Sequence, residues 1–289
     1  MKEKIHLVIR WLAKRISGYG LRERIWWLDW LYSRLKKNLA PHYVYLQGYQ
    51  VYLDEGDSLG LSVDGNYEPG IAALMRKVVK PRQVALDIGS NIGYFSILLS
   101  DLVGSEGMVY CFEPDPITFA TLDKNIKANR LSNVITEQVA VSDRSSAAFL
   151  RRDKFNNLDH RLVFEPDITA NIAISTVSLD DYFLKNHVEV NFIKMDIQGA
   201  ELLALEGMQG VLKKAKELRL LIEFWPLGLE QCSGKDSAAN LLKKLHDLFD
   251  EILLVEPESG KLNTFIDDVL LGEMSLKSGK YANLFCYKQ

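Results

Sequence analysis

The chain has 289 residues, of which 47% are hydrophobic and 25% are charged, and its formal net charge is −3. This is ordinary globular composition, and the length suits one large domain with an extension. Three cysteines, far apart and odd in number, argue against a disulfide framework or a zinc site and fit a reducing cytoplasm. No run of about 18 apolar residues occurs, so the sequence predicts no membrane span. We expect a cytoplasmic protein.

Residues 1–40 form a distinct unit, because they hold ten Lys and Arg residues against three acidic ones and four of the five Trp residues. Apolar residues recur at helical spacing over 3–16 and 21–37, which predicts two amphipathic helices or one broken helix. Basic residues interrupt the first apolar stretch, so it is not a signal peptide. Residues 1–37 could pack on the main domain, form a homodimer, or make a peripheral contact with the inner face of a membrane. The sequence leaves these alternatives open.

A short β-hairpin is predicted at 43–53, and a helix is predicted at 70–79. From residue 84 strands and helices alternate, which indicates a Rossmann-like α/β fold: a mostly parallel, seven-stranded sheet with helices on both faces. Strands are expected near 84–88, 108–113, 134–139, 190–195, 218–224, 251–255 and 283–288, and helices near 92–102, 116–129, 199–214 and 236–249. The last strand follows its predecessor without a helical crossover, so it could return antiparallel as an edge or inserted strand.

Two regions, 144–189 and 256–281, break the alternation. Insertions at the carboxyl edge of a sheet usually shape a substrate pocket, so we expect these regions to do so. We predict that residues 1–40 are a helical extension and that 41–289 are the main domain, with a cofactor-binding core at 70–225.

The stretch from Asp87 to Gly93 predicts a cofactor loop. An apolar run ends in Asp87, and Gly89 and Gly93 bracket Asn91 before a helical pattern begins. Such a turn lets a ligand contact the backbone. A dinucleotide fold would have glycine where Asp87 stands, and an aspartate would face a pyrophosphate unfavourably. It suits the ammonium group of S-adenosylmethionine instead, which disfavours a nicotinamide dehydrogenase.

Two further strand ends complete the predicted cofactor site. Glu113 ends the next strand, where a carboxylate can accept hydrogen bonds from both ribose hydroxyls; NAD enzymes use the same device, so Glu113 alone does not discriminate. Pro114 stops the strand and Asp115 can cap the following helix. After the third strand, Ala140 offers a small apolar face to an adenine ring, although it could also be an ordinary strand end.

Four motifs together resemble the FkbM-type methyltransferases: Asp-Ile-Gly-Ser-Asn-Ile-Gly from residue 87, Phe-Glu-Pro-Asp-Pro from 112, Val-Ala-Val-Ser-Asp from 139, and Ile-Lys-Met-Asp-Ile-Gln-Gly-Ala-Glu from 193. The resemblance covers roughly 56–225. It implies a class I methyltransferase fold, S-adenosylmethionine as cofactor, and O-methylation of sugars or natural products. Ser90 and Pro114 lie in these motifs and Glu68 in a family-like segment before them; we include all three among the cofactor-binding residues. Gln198 stands where the family usually has an acid, and Ser90 where alanine is commoner.

Asp196 is the predicted catalytic carboxylate, since it ends an apolar strand at the edge where ligands bind in such sheets. Glu223 ends the next strand and is expected to bind the substrate. Glu201 is a second substrate-binding candidate, but a favourable interaction with a helix N-terminus explains it equally well.

His160 is the candidate general base, because histidine titrates near neutral pH and a polar cluster surrounds it. A solvated surface histidine is an equally good interpretation. Arg161 could bind an acidic group of the substrate or pair with a surface acid. Asp196, Glu223 and His160 together could hold a divalent cation such as Mg²⁺, but their spacing is no recognised ligand motif, so we assign no metal site.

The sequence therefore predicts an S-adenosylmethionine-dependent O-methyltransferase that acts on a hydroxyl, most simply of a sugar in a surface glycan, a glycolipid or a glycosylated metabolite. The alternative is a membrane-associated, non-catalytic scaffold or regulator that retains the fold, which the basic, Trp-rich N-terminus motivates. Nucleic-acid methylation is disfavoured, because no basic, aromatic-interleaved stripe lies near the motifs.

Overall fold

The computed structural model describes residues 41–151, 160–164, 171–184, 188–274 and 279–288. The two amphipathic helices predicted within 1–40 lie outside these residues. No helix in the described part of the chain is long and apolar enough to cross a membrane. The chain divides into two compact units after Tyr67, and the predicted boundary at residue 40 stays a prediction.

In the first unit, the predicted hairpin is confirmed. Strands β1 (Tyr43–Leu46) and β2 (Tyr49–Tyr52) pair antiparallel, and Gln47 and Gly48 form the turn with positive φ. The short helix α1 (Leu61–Asp64) follows. The buried Asp57 carboxylate accepts hydrogen bonds from the Ser62 backbone N–H and hydroxyl, which ties the polar loop to α1.

In the second unit, the strands alternate with helices as the sequence pattern indicates. The strands are β3 (Val84–Ile88), β4 (Met108–Phe112), β5 (Val134–Glu137), β6 (Ala140–Val141), β7 (Ser146–Arg151), β8 (Arg161–Val163), β9 (Asn171–Val177), β10 (Phe192–Met195), β11 (Leu218–Phe224), β12 (Glu251–Val255), β13 (Leu262–Asn263) and β14 (Ala282–Lys288). The helices are α2 (Pro69–Val78), α3 (Tyr94–Val103), α4 (Pro116–Ala128), α5 (Leu179–Tyr182), α6 (Glu201–Glu206), α7 (Gln209–Lys214), α8 (Pro226–Ser233), α9 (Ser237–Leu248) and α10 (Asp267–Glu273).

The main sheet has the order β13-β12-β14-β11-β10-β3-β4-β5. Strands β11, β10, β3, β4 and β5 pair in parallel, and β14 lies between β11 and β12 and pairs antiparallel with both. This confirms the predicted Rossmann-like, mostly parallel sheet and its inserted last strand. The two-residue β13 adds an eighth, edge strand to the predicted seven.

The segment 144–189 is more regular than the sequence analysis predicted. Strands β7 and β9 pair antiparallel over their length, and with β6 and β8 they form a second sheet of order β6-β9-β7-β8. Alternate residues of β7, Ala148 and Leu150, are buried, as are Ile174 and Thr176 of β9. This alternation of buried and exposed residues is typical of a strand, but the small and polar residues of β7 and β9 make the pattern hard to recognise in the sequence.

The predicted helix 199–214 is two helices, α6 and α7, separated at Gly207 and Met208. Gly207 packs so closely on the loop after β6 that a Cβ would lie 1.9 Å from the Ser142 carbonyl oxygen. The half-buried Asp180 of α5 secures α7 by accepting hydrogen bonds from the Gly210 and Val211 N–H groups, at 2.8 and 2.9 Å. Backbone packing, not side-chain pattern, therefore ends α6.

The central strands are largely buried, and the acidic side chains that they carry lie at or close to their carboxyl ends. Leu86, Ile193 and Ile222 of three neighbouring strands are fully buried in one apolar cluster. The carboxyl ends of parallel strands meet at one edge of the sheet, which is where ligands bind in this architecture. The fold therefore collects the polar strand ends into one place.

We predict that Gly207→Ala destabilises the protein by about 1–3 kcal/mol, because its methyl group has to displace the Ser142 backbone. The matched control is Gly272→Ala in α10, where a Cβ meets nothing within 4 Å; it should be neutral or stabilise by up to about 1 kcal/mol. Thermal unfolding of both variants checks this. Equal midpoints for the two would contradict the proposed contact.

Candidate active site

The loop between β3 and α3 is shaped by residues with positive φ. Gly89, Asn91 and Gly93 have φ of 81°, 50° and 90°. Gly89 also packs on the end of β10, since a Cβ there would lie 1.9 Å from the Asp196 carbonyl oxygen. A Cβ on Gly93 would lie 2.7 Å from a Leu122 methyl carbon. The glycines are thus required by packing, in addition to any contact with a ligand.

Asp87 carries an unsatisfied buried oxygen next to this loop. The residue is fully buried; its Oδ2 accepts a hydrogen bond from the Ser96 hydroxyl at 2.6 Å, and its Oδ1 has no hydrogen-bond donor among the residues that the structure describes. Burial raises the pKa of Asp87, which the Lys194 ammonium and the Ser96 hydroxyl only partly oppose. A buried carboxylate oxygen without a donor is costly, so a ligand ammonium would complete it. The Ser90 hydroxyl holds the turn by donating to the Asp87 carbonyl at 2.7 Å.

Glu113 closes the loop from the end of β4. Its Oε2 accepts from the Asn91 N–H at 3.0 Å and its Oε1 from the Asp115 N–H at 2.9 Å. Burial raises the pKa of Glu113 to about 7, although these two backbone hydrogen bonds lower it. Among the described residues, each oxygen of the Glu113 carboxylate accepts one hydrogen bond, and each can accept a second. Two such oxygens suit the two adjacent hydroxyls of a ribose. Pro114 is half-buried beside it, and Asp115 caps α4 as expected.

A second group of carboxylates lies at the ends of β10 and β11. Asp196 and Glu223 are joined by Gln198, whose amide nitrogen donates to Asp196 Oδ1 at 2.8 Å and to Glu223 Oε2 at 3.0 Å. Burial raises the pKa of Glu223 well above its ordinary value, and the Asp196 charge adds to the shift. An amide at position 198 therefore bridges two acids, where the acid usual in the family would repel them.

Glu68 and Lys194 belong to the same group. Burial, with the Asp196 charge second, raises the pKa of Glu68 to about 7, and the Asn283 side chain hydrogen-bonds to it. Lys194 is 5% exposed and its Nζ lies 3.5 Å from Asp196 Oδ2 and 5.1 Å from the Phe95 ring centroid. Burial lowers the pKa of Lys194, but the surrounding carboxylates, Asp196 first, outweigh it and the net shift is upward. The group is a buried ammonium among carboxylates.

Glu201 is fully buried and its contacts are with backbone. Its Oε1 accepts from the Ile197 N–H and its Oε2 from the Gly199 N–H, both at 3.0 Å. Burial raises its pKa to about 7. These contacts match the helix N-terminus alternative, while the substrate-binding role stays a prediction.

Arg161 begins β8, and His160 directly precedes it. His160 Nδ1 lies 3.8 Å from Asp115 Oδ2, and the Arg161 guanidinium lies 4.9 Å from the Trp225 ring centroid. His160 therefore adjoins the helix cap next to Glu113. In the described part of the chain, no three His, Cys, Asp or Glu side chains are arranged to hold a metal ion, so Asp196, Glu223 and His160 do not form such a trio.

Sequence reasoning gave no role to Lys194 or Ser96, and treated Gln198 only as a departure. Lys194 lies in the motif that begins at residue 193. A lysine in an otherwise apolar strand is unusual, and this feature of the sequence could have indicated its role. Ala140 is buried in β6, at the start of the second sheet, and its contact with adenine stays a prediction.

The chain is similar in sequence to a known family and to several curated relatives. The family described as Methyltransferase FkbM domain matches residues 87–261. Hexuronic acid methyltransferase AglP of Haloferax volcanii is 26% identical over 64% of this chain and 75% of its own length. The 31-O-demethyl-FK506 methyltransferase FkbM of Streptomyces tacrolimicus is 26% identical over 45% of this chain and 61% of its own. The chain spans 57% to 75% of the length of the curated relatives it matches.

Among solved structures, a SAM dependent methyltransferase from Aquifex aeolicus aligns with 77% of this chain and 92% of its own, at 16% identity and a TM-score of 0.42. The family match covers more than half of the chain and contains the strand ends that carry Asp87, Glu113, Asp196 and Glu223. S-adenosylmethionine, which the unsatisfied Asp87 oxygen and the Glu113 carboxylate fit, is the cofactor. The chain belongs to the FkbM methyltransferase family.

Proposed function

We propose that this methyltransferase transfers the methyl group of S-adenosylmethionine to a sugar hydroxyl. One observation carries the proposal: the Gly89 turn packs on the Asp196 carbonyl, so the loop beside Asp87 directly adjoins the Asp196–Gln198–Glu223 group. Methyl transfer needs donor and acceptor held side by side, and this contact supplies that proximity.

The residues divide into two tasks. Asp87 and Glu113 would bind the ammonium and ribose groups of the cofactor, with Ser90 and the glycines holding the turn. When bound, S-adenosylmethionine supplies a methyl group on a positively charged sulfur. Asp196 and Glu223 would bind the acceptor hydroxyl, and Asp196 would take its proton as the oxygen gains the methyl carbon and the carbon–sulfur bond breaks, leaving the neutral thioether S-adenosylhomocysteine.

A sugar acceptor suits the polar groups at this edge. Carboxylate oxygens and the Gln198 amide are hydrogen-bonding partners for hydroxyls, and Arg161 beside Trp225 could contact a further part of the substrate. Two relatives, a hexuronic acid methyltransferase and a 31-O-demethyl-FK506 methyltransferase, support sugar and hydroxyl chemistry by what their names say of them. A surface glycan, a glycolipid or a glycosylated metabolite remains the proposed acceptor class, with His160 as an alternative base.

The proposed location is the cytoplasm, with a peripheral contact at the membrane or a homodimer contact through residues 1–37. These residues lie outside the described part of the chain, and the scaffold alternative rests on them. The described site favours catalysis, because its buried carboxylates are costly to keep without a ligand.

We predict that Asp87→Asn weakens binding of S-adenosylmethionine about tenfold or more, because it removes the charge opposite the ligand ammonium while keeping the shape. Isothermal calorimetry measures the change, and the thermal midpoint tests the fold. Asp123→Asn, on an exposed pair with Lys127, is the control and should bind like the wild type. Unchanged affinity in Asp87→Asn would remove Asp87 from the site.

We predict that affinity for S-adenosylhomocysteine rises between about pH 6 and about pH 8. The pKa of Glu113 is raised to about 7, so the carboxylate that accepts ribose hydroxyls is fully ionised only above that pH. Glu113→Gln should bind more weakly and show a smaller rise. A variant with the wild-type pH dependence would show that Glu113 does not contact the ligand.

Methyl transfer itself is tested with labelled S-adenosylmethionine and a panel of methyl glycosides of hexoses, deoxyhexoses and hexuronic acids. We expect an ether product with at least one neutral sugar, detected by mass and by the methyl resonance. Asp196→Asn should lower the rate about a hundredfold or more while cofactor binding persists. Binding of the cofactor without transfer to any hydroxyl would contradict the proposed acceptor.

A further inference from the structure

The Lys194 ammonium is the centre of a charged group that draws on four elements. Its charge interacts with Asp196, which follows β10, with Asp87 of β3, with Glu68 before α2 and with Glu223 of β11. The Tyr281 hydroxyl, just before β14, also faces Glu68, Glu223 and Asp196. We call these four carboxylates with Lys194 the carboxylate cluster.

The carboxylate cluster has more negative groups than positive ones. One ammonium faces four carboxylates, and the Gln198 amide that bridges two of them is neutral. Glu201 adds a further buried carboxyl near Asp196 and Glu223. The fully buried Asp87 also has an Oδ1 without a donor among the described residues, which the ammonium of either ligand would meet. A second positive charge here would be stabilised by the cluster.

The methyl donor and its product differ by such a charge. S-adenosylmethionine carries a positive sulfur, and S-adenosylhomocysteine, which has lost the methyl group, has a neutral one. We propose that the carboxylate cluster selects the methyl donor over the product by this charge, so that binding is tight before transfer and weaker after it. The inference rests on the proposed function, because it takes Asp196 and Glu223 to lie beside the transferred methyl group.

The dissociation constant of S-adenosylhomocysteine divided by that of S-adenosylmethionine isolates this effect, and we call this quotient the ratio. The ammonium, ribose and adenine groups are the same in both ligands, so the contacts of Asp87 with the ammonium and of Glu113 with the ribose largely cancel. Only groups that sense the sulfur charge change the ratio. A matched pair of ligands therefore separates Glu68, Asp196 and Glu223 from the contacts that both ligands make, including that of Asp87 with the ammonium.

The ratio should depend on pH in a defined direction. Burial, with Asp196 second, raises the pKa of Glu68 to about 7 and that of Glu223 well above its ordinary value. Glu68 loses its proton as the pH rises through about 7, and the raised pKa of Glu223 moves its ionisation to higher pH as well, so the cluster becomes more negative as the pH rises. Preference for the charged ligand is therefore smallest at low pH and increases towards higher pH.

The experiment is calorimetry of the full chain with S-adenosylmethionine and S-adenosylhomocysteine at about pH 6, 7 and 8. We expect the methyl donor to bind more tightly, with a ratio that grows with pH. Glu223→Gln should reduce the ratio about fivefold, and Gln198→Glu should increase it by a similar factor, because each changes one charge at an almost unchanged shape. Glu106→Gln, an exposed surface change, is the control and should leave the ratio unchanged.

Equal affinities for the two ligands at every pH would overturn the inference without a variant, even if Glu223→Gln fails to fold. A ratio that Glu223→Gln and Gln198→Glu both leave at the wild-type value would overturn it as well. Either result leaves the proposed function unaffected, because the cofactor still binds. If neither ligand binds, the proposed function fails and the inference fails with it.

Discussion

The site depends on the contact between the Gly89 turn and the backbone at Asp196. Parallel pairing of β3 with β10 brings the two strand ends side by side, and the Asp196 N–H donates to the Ile88 carbonyl at 3.0 Å. The turn closes on the Asp196 carbonyl because residue 89 has no side chain. The groups fitted to a cofactor and those fitted to an acceptor are consequently held on adjacent strands, and this fixed proximity is a large part of what methyl transfer requires.

The same edge of the sheet carries an electrostatic cost that the fold only partly compensates. The Lys194 ammonium donates to Asp196, and the Gln198 amide donates to both Asp196 and Glu223. The Asn283 side chain hydrogen-bonds to Glu68. Burial raises the pKa of Glu68 and of Glu223, which shows that the charged forms are not fully stabilised. Groups in this state respond to an added positive charge, and perturbed carboxylates of this kind mark functional sites.

Most of the main sheet was predictable, because long apolar strands separated by amphipathic helices carry a strong periodic signal. The predicted bounds of β3, β11 and β12 agree with the structure. The second sheet was missed because β6 and β8 are short and β7 and β9 are rich in Ala, Ser and Thr. Helix α8 was missed because Pro226 starts it soon after a strand. The break between α6 and α7 follows from close backbone packing at Gly207, which no side-chain pattern reports.

The sequence by itself determined the alternation of strands and helices, the family, and the polar residues that end each strand, since these are local properties of the chain. Tertiary structure alone decided which of these residues meet. It turned Glu201 towards backbone N–H groups and placed His160 beside Asp115. It also made Gln198 the bridge between two carboxylates and surrounded Lys194 with acids. The physical reason is that strand register and loop packing join residues far apart in the chain, and only those contacts set burial and charge.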